Sequence, residues 1–82
     1  INLNNIITQS IEPRAKYFHR VGFEEGTALC RLAMTKTGQE AFELHERANA
    51  KFRECLILKS NDYRALYNWA LNLSKQAEIS SG

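Results

Sequence analysis

The sequence predicts an all-α fold of antiparallel helix pairs, stacked as a short solenoid or a four-helix array. Three observations carry this. Two segments repeat at a spacing of 37 residues, with Ala28-Leu29-x-x-Leu32-Ala33 matched by Ala65-Leu66-x-x-Trp69-Ala70. The register continues, with Thr37 opposite Ser74 and Gln39 opposite Gln76. A period of this size marks units that each bury an apolar face against a neighbour. One proline and four glycines among 82 residues leave little material for turns, which favours a few long helices over many strands. Apolar residues also step by three and four through most of the chain.

The elements run in order along the chain. Asn2 to Gln9 is polar with Leu3, Ile6 and Ile7 on one side, and reads as helix or arm. A first helix is expected over 11–21, with Ser10 as N-cap and Pro13 in the first turn, where a missing N–H is tolerated. Its stripe is Ile11, Ala15, Phe18 and Val21. The alternative is one unbroken helix from Leu3 with a kink at Pro13. A second helix is expected over 24–37, with Glu24 and Glu25 at its positive end and Gly38 as its stop. Leu29, Leu32 and Ala33 are its buried stripe. Gly22 and Gly26 mark either a tight turn or close helix packing within a longer helix. The third helix, over 39–59, carries Ala41, Leu44, Ala48, Phe52, Cys55 and Leu58 on one face, with Glu43 and Arg47 paired on the other. Ser60-Asn61-Asp62 breaks the pattern, and Asn61 or Asp62 caps the fourth helix. That helix, over 62–77, buries Leu66, Trp69, Ala70 and Leu73, and Ser80-Ser81-Gly82 frays. Phe52 and Trp69 supply bulk between the third and fourth helices.

Ala48-x3-Phe52-x2-Cys55 followed by Leu56-x-Leu58, and then Leu66-x2-Trp69-Ala70-x2-Leu73, resembles the tetratricopeptide repeat family. Leu29-x2-Leu32-Ala33 repeats the second pattern, with Lys36 in place of an aromatic and Ser60 in place of the usual proline. The resemblance implies a trailing second helix, one full helix pair and a leading first helix, within a fragment of a longer protein. Extra residues between Gly38 and Ala48 imply that the third helix overhangs its neighbours. It also implies that the first helix of each pair lines a groove. The groove residues are then Thr27, Cys30, Arg31 and Met34 from one unit, and Arg64, Tyr67, Asn68 and Leu71 from the next. Arginine offers bidentate contacts to carboxylate or phosphate, asparagine clamps a peptide backbone, and methionine adapts its shape. Asn68 matches one asparagine of the family's carboxylate clamp. Cys30 and Met34 replace two other clamp residues.

Composition bounds the function. A formal charge of +2, with Lys and Arg interspersed among Glu, does not make the concentrated basic stripe of a nucleic-acid reader. No apolar run approaches the ~20 residues of a membrane span. Cys30 and Cys55, without metal spacing, read as free thiols of a cytoplasmic chain, with a single disulfide as the alternative. His45-Glu46 lacks the second histidine of a zinc helix, and a His19–Cys30 nucleophile pair lacks an orienting third group. The expected protein is therefore neither an enzyme nor a cofactor carrier. It is a protein–protein interaction module that takes an acidic or phosphorylated peptide, or a partner helix, in its groove. Two rivals are an oligomerisation scaffold and a three-helix microtubule-interacting-and-trafficking bundle, which the helix count separates. The isolated chain is expected to dimerise through Leu66, Leu73 and their neighbours.

Overall fold

The computed structural model describes the backbone of residues 3–81 and the side chains of residues 14–81. Within them the chain is all-helical, with three helices: α1 (Leu3–Ala33), α2 (Gly38–Leu58) and α3 (Tyr63–Ser81). α2 lies in the middle, with α1 packed along one side and α3 along the other, and α1 and α3 barely touch. The result is elongated, 60 × 19 × 14 Å.

The two helices expected over 11–21 and 24–37 are one continuous helix. Ser10 and Pro13 lie inside it, so no helix begins at that point. The side chain of Ile11 and residue Gly82 lie outside the described residues. Gly22 and Gly26 are not a turn. They are places where α1 packs tightly on α2: a Cβ on Gly26 would sit 2.9 Å from the Phe52 ring, and one on Gly22 would sit 3.2 Å from Cys55 Sγ. The overhang also falls to another helix. Cys55, near the end of α2, donates its thiol proton to the carbonyl of His19 at 3.3 Å. The first dozen residues of α1 therefore run past the end of α2, because α1 has 31 residues and α2 has 21.

α1 ends four residues earlier than expected, at Ala33, in a turn held by Thr35 N–H to the Leu32 carbonyl and Lys36 N–H to the Ala33 carbonyl. Gly38 opens α2 with φ of 61°, a left-handed conformation that glycine adopts freely. The expected face of α2 is buried at Ala41, Leu44, Ala48, Phe52 and Cys55, while Leu58 is exposed. Phe52 is 0% exposed, but its neighbours are on α1: Gly26 below it, and Phe23 edge-on at 6.3 Å between ring centroids. Cys55 is equally enclosed, and burial, then the charges of Asp62 and Glu54, push its thiol up to about 11. Both cysteines are free.

α3 departs furthest from expectation. Leu66, Ala70 and Leu73 are exposed and Trp69 is only half-buried. The residues that face α2 are Ala65, Asn72 and Gln76. They meet His45 and Asn49, which are also buried. The Asn72 amide donates to the His45 carbonyl at 2.8 Å and to Asn49 Oδ1 at 2.6 Å. Its own oxygen lies 2.7 Å from His45 Nδ1, which must therefore carry the proton. Asn49 donates to Gln76 Oε1 at 2.8 Å, and Gln76 donates to Glu46 Oε2 at 2.6 Å. The residues alternate across the seam at i and i+4 on both helices, a spacing that puts each pair on one helix face.

Asp62 starts α3. Its Oδ1 accepts the backbone N–H groups of Arg64 and Ala65 at 3.1 and 3.2 Å, and its Oδ2 pairs with His19 Nε2 at 2.5 Å. Burial opposes ionisation of this carboxyl. The Ala65 N–H, His19 and the Arg64 N–H together outweigh it and hold the carboxyl below its ordinary value.

Three outcomes are expected. Phe52→Ala should destabilise by about 3–5 kcal/mol in a denaturant melt, and half-buried Trp69→Ala by less. Asn72→Ala orphans several buried partners, each costing about 1–3 kcal/mol, and hydrogen exchange should show α3 opening before α1 and α2. A depressed carboxylate contributes stability above its unfolded value, about 3.9, and that contribution is lost as pH falls through the lower folded value. Melting temperature should therefore fall on acidification below about pH 4, and Asp62→Asn, which retains the cap, should flatten that dependence.

Candidate peptide-binding groove

The open seam between α1 and α3 forms a groove over the back of α2. Thr27, Cys30, Arg31 and Met34 line one wall, Asn68, Leu71 and Lys75 the other, and Phe52 the floor. Its volume is about 250 Å³. The walls arise from helix spacing: 27, 30, 31 and 34 recur on one face of α1, and 68, 71 and 75 on one face of α3. Met34 comes directly after the last residue of α1 and is held by its N–H to the Cys30 carbonyl at 3.1 Å.

Of the residues that the sequence pattern selects, Arg31, Met34, Asn68 and Leu71 come together here, with Thr27 and Cys30. Arg64 and Tyr67 do not line the groove. Arg64 stacks its guanidinium 4.6 Å above the Phe23 ring, towards the start of α3. Tyr67 is 67% exposed, beside the groove wall. Two lining residues escape the sequence pattern. Phe52 reads from sequence as core alone, although its ring also closes the floor. Lys75 continues the steps 64, 68, 71 by one further turn, so the spacing itself contains it.

The groove is apolar inside and cationic at its edges. Arg31 and Lys75 stand on opposite walls, and no carboxylate is among the lining residues. The ion pair of Lys75 with Glu78 is long, at 3.9 Å, and exposed. Such pairs contribute little, so the ammonium is free to turn to another anion. Cys30 is held protonated: burial raises its thiol, and the nearby Lys75 charge only partly opposes this. A raised thiol is a poor nucleophile. His19, the other half of the pair considered from sequence, is engaged with Asp62 and lies about 16 Å along the helix from Cys30. Among the described residues no three His, Cys, Asp or Glu side chains gather as a metal site, and no helix is long and apolar enough to cross a membrane.

No family model, no curated protein and no solved structure matches this chain.

Proposed function

We propose that the protein is a non-catalytic interaction module, which holds an acidic or phosphorylated segment of a partner protein between α1 and α3. One observation carries the reading. Six of the eight residues that the family resemblance implies as groove-facing line a single cleft with an apolar floor, with Arg31 on one wall and Lys75, outside that set, on the other. A cleft of this volume admits one or two apolar side chains of a ligand. Arg31 and Lys75 suit carboxylates or phosphates that flank them, and Asn68 suits a backbone amide. In this reading residues 24–33, α2 and α3 are one helix pair and the first helix of the next unit in a tetratricopeptide-like array. The two free thiols fit a reducing, cytoplasmic setting.

A second reading, a trafficking bundle of the microtubule-interacting kind, is favoured by the count of three helices. Against it stands the open seam, since α1 and α3 hardly meet where a closed bundle would pack them.

Fluorescence anisotropy with pooled 12-residue peptides tests the proposal, one pool carrying Glu and Leu and the other Lys and Leu. The acidic pool should bind and weaken with salt. Arg31→Glu with Lys75→Glu should reduce that binding by about tenfold or more, with helicity intact. Arg64→Glu should have a smaller effect. Preference for the basic pool, or indifference to the double substitution, refutes the groove as an anion-seeking site.

A further inference from the structure

α3 carries an uncharged apolar stripe on a flank outside both its buried amide face and the groove. Leu66 and Leu73 are 42% and 45% exposed and Tyr63 is 78% exposed. Ala70, Ala77 and Ser80 are exposed in the same stripe. The charged residues of α3, Arg64, Lys75 and Glu78, fall on the opposite half at 100° per residue. An uncharged helix face with exposed leucine and tyrosine has the composition of an interface core, not of a solvated surface.

The repeat identifies the kind of surface. Leu66 and Ala70 are the counterparts of Leu29 and Ala33 at the 37-residue spacing. Ala33 is buried and Leu29 half-buried, on the side of α1 that also carries Gly22 and Gly26 against α2. What α1 buries on a neighbouring helix, α3 leaves open.

The spacing says which helix fits. Positions 66, 70, 73 and 77 step by four, three and four, the seam of a coiled coil. Two copies of α3 can be set antiparallel about a two-fold axis between Leu71 and Asn72. Tyr63 of one copy then meets Ser80 of the second copy, Leu66 meets Ala77, and Ala70 meets Leu73. Every layer holds one large and one small residue, over about 26 Å of helix. Alternation of this kind fills the space between two helices without voids. A two-fold interface must complement itself, and this stripe does so in shape and, lacking charge, opposes no like charges. We propose that two copies of the chain pair through α3 in this register as a closed dimer. The groove plays no part, since Asn68 and Lys75 point to the other half of the helix.

Sedimentation equilibrium on the 82-residue chain tests the register. Between about 5 and 500 µM, the range that reads an interface of less than standard size, a monomer–dimer equilibrium is expected with no larger species. Ala70→Leu should weaken the dimer by about tenfold or more, because the added bulk meets Leu73 of the second copy. Adding Leu73→Ala should restore affinity to within about threefold, because the layer again holds one large and one small residue. Both positions are exposed in the monomer, and circular dichroism at the lowest concentration verifies the fold of each variant. A monomer throughout, open-ended oligomers, or a double variant no better than Ala70→Leu overturns the proposal. So does a dimer abolished by Ile57→Glu but indifferent to Ala70→Leu, which would seat it on the apolar cluster of Phe18, Ile57 and Leu58.

Discussion

The Asn72 carboxamide joins the last helix to the rest of the chain. It donates to the His45 carbonyl and to Asn49, accepts from His45 Nδ1, and is 0% exposed. A buried amide costs little when all its partners are present and much when one is missing. The seam between α2 and α3 therefore has one good register, because sliding or rotating α3 would strand several amides at once. That register fixes the rotation of α3 about its own axis. It puts Asn68, Leu71 and Lys75 opposite α1 and sends Leu66, Ala70 and Leu73 outward. The groove wall and the outer stripe of α3 are thus both consequences of a polar contact.

The other seam obeys different physics. α1 and α2 meet through small residues and one large ring: Gly22 and Gly26 remove two Cβ atoms, and the Cys55 sulfur fills the space at the first and the Phe52 ring that at the second. Non-directional packing of this kind rewards closeness, and added volume is costly where the ring is fully enclosed. Phe52 therefore sits deep enough to serve both sides, against Phe23 and Gly26 on one edge and beneath the groove on the other. The Arg64 guanidinium over Phe23 ties the start of α3 to this cluster, beside the Asp62–His19 pair. One end of the open seam is thereby closed, and the end near Met34 and Lys75 stays free.

How much of this is legible in the sequence depends on the range of each interaction. The face of α2 is readable because Ala41, Leu44, Ala48, Phe52 and Cys55 make one local stripe, buried by whichever helix packs there. The cleft is partly readable: the tetratricopeptide resemblance implies a groove between the first helices of successive pairs, and Arg31 with Asn68 and Met34 with Leu71 do meet there, while Arg64 and Tyr67, the counterparts of Thr27 and Cys30, do not. The face of α3 is misread because the rule that apolar residues point inward assigns Leu66 and Leu73 to the core. Asn72 and Gln76 satisfy their amides only with His45, Asn49 and Glu46, 23 to 30 residues away, and no local pattern announces such partners. Gly22 and Gly26 are ambiguous for a related reason. A turn and a close approach both need a missing Cβ, and only the positions of Cys55 and Phe52 across the seam decide between them.

α3 therefore presents three different faces: amides inside, groove on one flank, leucine and alanine outside. Among the described residues only the first is filled by the chain itself, by directional bonds that fail together. Any ligand that bridges Arg31 and Lys75 binds only while α3 is seated, and so stabilises that seat by mass action. A second copy of α3 on the outer stripe touches α3 alone, and so leaves this seat unchanged. Occupation of the cleft and the docking of α3 onto His45 and Asn49 would then be linked, because a bridging ligand needs both walls. The coupling is bounded by the free energy of that docking. Variants at Asn72, which weaken the seat, widen the range over which it operates, while replacements that made the seam apolar would fix α3 in place and abolish it.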